Sequence, residues 1–127
     1  MRYRRVTYQY TISTRAESAR SAVAVEPLSW RPSADLVESA TEIRLVVELA
    51  GVAEDDIEIL LFENAMVIQG RRDLPVSPAD GVFRAAEIRH GPFRLELALP
   101  PTIDHGGVTA SFDRGLLSVS LPRRDGG

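Results

Sequence analysis

Histidine brings acid–base and metal-ligating chemistry near neutral pH, and this chain has two, His90 and His105. Neither sits in a serine–histidine–aspartate arrangement, and His105 lies in a glycine-flanked loop, so both read as surface or structural residues. Glu54-Asp55-Asp56 is the densest carboxylate run. A calcium loop needs further oxygen ligands at set spacing, which are missing here, so the cluster reads as solvated or helix-capping. Cysteine is absent, which removes thiol nucleophiles, thiolate zinc sites and disulfide scaffolds together. No phosphate loop, HExxH or GxSxG occurs. The expectation is a non-enzyme with no cofactor and no bound metal. The pattern that remains to be read is that of the apolar side chains.

Those side chains follow a period of two. Ile43, Leu45, Val47 and Leu49 alternate with other residues over 42–49, and Ile57, Ile59 and Leu61 do so over 57–61. Glu63-Asn64 reads as a tight turn in which asparagine can take a left-handed conformation, with residues 65–69 returning as the partner strand. Residues 73–81, with Pro75, Pro78 and Gly81, form a loop, and Val82 to Ala86 is a candidate short strand within or after it. Residues 87–99 alternate over a long stretch, with Gly91-Pro92 implying a kink or bulge. Residues 108–112 and 116–121 are two strands joined through Asp113-Arg114-Gly115. A further short strand falls at 34–39. Seven or eight short strands, with turn signals every eight to twelve residues and no convincing helix after Trp30, predict an all-β, immunoglobulin-like antiparallel sandwich.

Length and composition agree. The chain has 127 residues with 44% hydrophobic and 26% charged, which fits one ordinary globular domain. All 15 basic residues are arginine. The net charge of −3 carries no footprint for nucleic acid. Apolar runs fall far short of the ~20 residues that span a bilayer, and no apolar segment follows Met1-Arg2-Tyr3-Arg4-Arg5, so neither a membrane partner nor a signal peptide is expected and the reading is cytoplasmic. Residues 1–29 stand apart as an arm: five arginines face Glu17 and Glu26 for +3, while the remainder is −6. Val6, Tyr8, Tyr10 and Ile12 alternate as a strand or extended peptide, residues 14–24 form a weak helix or nothing regular, and Pro27 and Pro32 mark the boundary.

Several segments, taken in order, resemble the alpha-crystallin domain of small heat-shock proteins. Glu48-Leu49-Ala50-Gly51-Val52 followed by Asp56-Ile57-Glu58-Ile59 is similar to its opening. Val67-Ile68-Gln69-Gly70-Arg71-Arg72 resembles its L-x-I-x-G-x-R strand, Glu87 to Phe93 its E-R-x-x-G-x-F segment, and Leu99-Pro100 its L-P. Ala110-Ser111-Phe112-Asp113-Arg114-Gly115-Leu116-Leu117, followed by Val119, Leu121 and Pro122, resembles the A-x-x-x-n-G-v-L signature. The resemblance covers residues 30–122, leaving an arm over 1–29 and a tail over 123–127.

It implies an ATP-independent holdase that binds partly unfolded client proteins and suppresses their aggregation. The alternative is a module like the CS domain of co-chaperones, which binds one folded partner. In the family an apolar groove lies at the sandwich edge, matched here by Ile57, Ile59 and Leu61 on one side and Val108, Ala110 and Phe112 on the other; each of these also reads as plain core. Leu60 and Phe62 stand where the family is usually polar, and read either as an extra apolar contact surface or as residues buried under the arm. The resemblance further implies a homodimer made by exchanging the loop strand, here Val82, Phe83 and Arg84. The arginine that usually forms an inter-subunit ion pair is replaced by Leu95, with Arg94 pointing to the opposite face. Gly91 and Gly115 are structural, serving a bend and a tight turn. Residues 122–127 contain no I-x-I, the family's tail motif that docks in a neighbour's groove and builds larger homo-oligomers. The arm, through Tyr8 to Ile12 or Val23-Ala24-Val25, is the expected substitute by strand addition; the alternative is a dimer whose grooves stay open.

Overall fold

The computed structural model describes residues 2–4, 7–8 and 29–124. Two sheets stack face to face. One has the order β1–β8–β9–β4–β3, with β1 Arg2–Arg4, β3 Ala34–Glu38, β4 Glu42–Glu48, β8 Thr109–Asp113 and β9 Leu116–Pro122. The other has the order β2–β5–β6–β7, with β2 Thr7–Tyr8, β5 Ile57–Leu61, β6 Ala65–Arg72 and β7 Gly91–Ala98. Every pairing is antiparallel except β2 with β5. Short 3₁₀ turns occupy Glu54–Asp56 and His105–Gly107.

The alternation seen in the sequence becomes the core. Ile43, Leu45 and Val47 from β4 and Leu117, Val119 and Leu121 from β9 face Ile57, Ile59 and Leu61 from β5, with Met66, Ile68, Phe93 and Leu95 closing the layer. Burying an aliphatic side chain of this kind stabilises the fold by roughly 1.5–3 kcal/mol, so this one shared layer is the main source of cohesion. Among the described residues no helix is long and apolar enough to cross a membrane.

Four local expectations change. Residues 87–90 are not strand: β7 begins at Gly91, whose φ of +85° turns the chain, and Pro92 behind it has no N–H to extend a ladder backwards. Residues 82–86 form no strand within the single chain; Val82 and Phe83 are exposed in the loop. Asn64 does not take a left-handed conformation. That conformation falls to Arg114, with φ of 53°, next to Gly115 at 84°. Two successive positive φ values give the turn geometry whose twist suits a two-residue hairpin, so the arginine adopts the conformation that asparagine usually supplies. In the arm, Thr7–Tyr8 is strand, and the pairing of Arg2–Arg4, which have no apolar alternation to announce it, was not foreseen. The other arm positions singled out, Tyr10, Ile12, Val23 and Val25 among them, lie outside the described residues.

Candidate functional site

The sandwich has two strand edges on the same side, β5 in one sheet and β8 in the other. An unpaired edge is a row of N–H and C=O groups able to accept another chain. Behind these edges stand the apolar residues named from the sequence. Ile57, Ile59, Leu61, Val108 and Ala110 are buried in the core between the sheets, and Phe112 is partly buried against it. Val108 immediately precedes β8 rather than lying within it.

Both edges carry the chain's own N-terminus. β1 runs antiparallel along β8, setting Arg2 opposite Phe112, Tyr3 opposite Ser111 and Arg4 opposite Ala110. Three residues further on, β2 runs parallel along β5, setting Thr7 opposite Leu60 and Tyr8 opposite Leu61. One short strand of the N-terminal segment therefore lies on each sheet. Among the described residues the strands involved have three and two residues, short beside the usual five or six.

One side chain links the two sheets beyond these edges. Nε2 of His105 lies 3.1 Å from the Phe62 carbonyl and 2.9 Å from that of Glu63. Both partners are acceptors, so this nitrogen carries the proton and donates. The histidine thus ties the approach to β8 to the turn that follows β5. Leu60 is half-buried and Phe62 buried, together with Ala65 and Val67, in a small cluster on the outer face of the β5–β6–β7 sheet.

The opposite end of the sandwich holds a contact that the sequence did not signal. The indole N–H of Trp30 donates to the Gly91 carbonyl at 3.2 Å, and its ring lies 5.6 Å from that of Phe93. The guanidinium carbon of Arg72 is 4.4 Å from the Trp30 ring centre. The same guanidinium donates from Nε and Nη2 to the Arg89 carbonyl and from Nη1 to that of Ala50. This buried arginine closes the base of the 73–90 loop. Arg94 faces outward, 3.6 Å from Glu96, whereas Leu95 is in the core. Glu54–Asp56 is a partly solvated turn, and among the described residues no group of three or more histidine, cysteine or acidic side chains converges. His90 is exposed in the loop.

A two-sheet, largely antiparallel β-sandwich of this strand order is the architecture of an alpha-crystallin domain. Residues 35–127 match the Hsp20/alpha crystallin family, and the chain belongs to that family. It is 32% identical over 94 residues to small heat shock protein C4 of Rickettsia felis, covering 74% of this chain and 58% of that protein. Among solved structures it resembles a small heat-shock protein from Xylella fastidiosa, described as having a distinct high order structure (TM-score 0.70, 32% identity, 78% of this chain and 91% of that one). It also resembles hspA of Xanthomonas axonopodis (TM-score 0.68, 30% identity, 76% and 96%). The match spans just under three fifths of the Rickettsia protein's length.

Proposed function

We propose that this protein is a cytoplasmic, ATP-independent holdase that captures partly unfolded proteins at its strand edges and apolar surfaces. The observation that supports this most is that, among the described residues, β5 and β8 are covered by strands of two and three residues from the chain's own N-terminal segment. A cover so short is readily exchanged for an extended segment of an unfolding protein, which brings the same main-chain hydrogen bonds and more apolar side chains. Self-association by loop exchange belongs to the same reading. β3 is an edge strand with Leu36 and Val37 at 51% and 64% exposure, and Val82 and Phe83 stand out of the loop at 79% and 71%. A second copy's loop laid along β3 hides both sets at once.

The test is light scattering of an unrelated, thermally unfolding enzyme with and without this protein, no nucleotide being present. Suppression of scattering at comparable subunit concentration is the expected result. A protein that leaves scattering unchanged but binds one folded partner saturably is an adaptor of the CS-domain kind, and the proposal fails.

A further inference from the structure

Charge is spread unevenly over the sandwich. The margin that presents β5 and β8 is built from residues 54–64 and 104–115, which hold seven carboxylates and one arginine, Arg114. The opposite margin, β3 and β7 with the loop before β7, spans residues 30–38 and 73–98 and holds six carboxylates and four arginines. The negative excess therefore belongs to the side of the two edges. Glu58 lies within β5 and Asp113 ends β8, both exposed. Glu54-Asp55-Asp56 leads into β5, Glu63 follows it, and Asp104 precedes β8. Glu58 accepts from the Gln69 amide at 2.8 Å and Asp104 from the Gly106 N–H at 3.2 Å, but neither donor is charged and so neither cancels a charge. Arg114 stands 3.9 Å from Asp113 with its side chain almost wholly in water.

The strand seated on β8 has the opposite sign. Two of the three residues of β1, Arg2 and Arg4, are arginine. Main-chain pairing asks for no particular side chain, whereas a basic strand on an acidic edge gains from each cross-strand pair of opposite charge, and a like-charged one loses. β1 meets β8 at 110–112 and β2 meets β5 at Leu60 and Leu61, so among the described residues Asp113 and Glu58 stand on stretches of edge with no strand on that side. A strand added there lies about 4.8 Å away, inside the roughly 8 Å over which physiological salt screens exposed charges. We propose that these edges select by charge. The segments they hold best are extended stretches of an unfolding protein in which arginine or lysine alternates with apolar residues, and stretches with aspartate or glutamate in those places are rejected. The proposal rests on the strand-edge reading given above and adds to it the class of client segment.

Three short peptides that alternate valine with arginine, glutamine or glutamate share one backbone and one apolar face. Their binding to the full chain is measured by fluorescence anisotropy at low and at high salt. At low salt the arginine peptide is expected to bind at least about tenfold more tightly than the glutamate peptide, with the glutamine peptide between them and the spread shrinking to about twofold at high salt. Glu58→Gln, Glu63→Gln and Asp113→Asn together change only exposed side chains and are expected to remove most of that preference. Asp35→Asn, Asp80→Asn and Glu87→Gln, exposed on the opposite margin, are expected to leave it in place. Arg2→Glu with Arg4→Glu sets like charges on the edge, which is expected to release β1 and raise the affinity of the uncharged glutamine peptide by about threefold. Equal affinity for the three peptides overturns charge selection and leaves the strand-edge reading standing. A preference that survives the edge variant, or is lost in the opposite-margin variant, overturns it because the binding then lies elsewhere. A glutamine-peptide affinity unchanged by Arg2→Glu with Arg4→Glu overturns it as well, since the edge then ignores the charge of the strand it holds. If no peptide binds either the parent or that variant, the strand-edge reading itself falls and takes the proposal with it.

Discussion

At the scale of single residues, the family signatures in this chain are constraints on space and dihedral angle. Gly70 of the L-x-I-x-G-x-R strand has no room for a side chain: a β-carbon there would stand 2.0 Å from the Asp56 carbonyl oxygen and 2.7 Å from the Phe93 ring. Since the nearer obstacle is backbone, Gly70→Ala is expected to destabilise by at least about 1–3 kcal/mol, the range for forced overpacking, read as a fall in the urea midpoint. Gly115 is held twice, by a φ of 84° and by Ala50 Cα at 2.8 Å from a built β-carbon. Arg114 is the reverse case. It sits at φ 53° with its side chain largely in water, so only its backbone is strained. Arg114→Asn or Arg114→Gly is expected to raise stability by about 0.5–1 kcal/mol, the usual gain where a residue suits the native dihedral better. A lower melting temperature for both variants would refute that account. The terminal arginine of the strand motif, Arg72, spends its donors on the carbonyls of Arg89 and Ala50 while stacking on Trp30. Lysine lacks the planar fork for this, so Arg72→Lys should behave nearly as badly as Arg72→Ala.

At the scale of elements, the pairing of β4 with β9 is reinforced by a side-chain bond that depends on pH. Ser120 Oγ donates to Glu42 Oε1 at 2.6 Å, and this bond, helped by nearby Arg44, holds the Glu42 carboxyl below its ordinary value of 4.5. A carboxyl depressed in the folded state adds stability above its unfolded pKa and loses it as pH falls through the folded one. Ser120→Ala should therefore be less stable than the parent at pH 7, with the gap closing under acid; a gap that is constant with pH would exclude this coupling. The strands themselves were legible in the sequence because period-two burial writes itself into residue types, as at Ile43-Leu45-Val47 and Ile57-Ile59-Leu61. What was not legible depends on contacts distant along the chain. Residues 87–90 alternate like strand, yet Gly91 turns away and Arg72 captures the Arg89 carbonyl from across the loop. Trp30 reads as a boundary marker, and only the fold brings it onto Phe93 and Arg72. The edges of β5 and β8 were readable as apolar strands, but the partner on β8 is an arginine-rich stretch whose backbone does the pairing, and backbone leaves no pattern in side-chain types.

At the scale of the whole molecule, assembly is predicted to rest on the loop and the arm separately. Phe83→Asp places a charge where the exchanged loop would meet Leu36 and Val37, and is expected to shift a dimer toward monomer by about tenfold or more in dissociation constant. Sedimentation across a dilution series measures this directly; an unchanged mass would remove the loop from the interface. Deleting residues 1–8 uncovers both edges without touching the loop. That variant should keep the parent's dimerisation, yet bind a fluorescent apolar dye more strongly and protect a heated enzyme at lower concentration. The pairing of Arg2–Arg4 with residues 110–112 has one more consequence, which concerns time. Arg2, Tyr3 and Arg4 find their partners more than a hundred positions downstream. During synthesis this segment has no place to dock until residues 110–112 have been made, and on heating so short and so non-local a contact is expected to open before the rest of the sandwich. Sequence separation is thus expected to make the β1–β8 pairing a thermal fuse, spent while the body of the domain still stands.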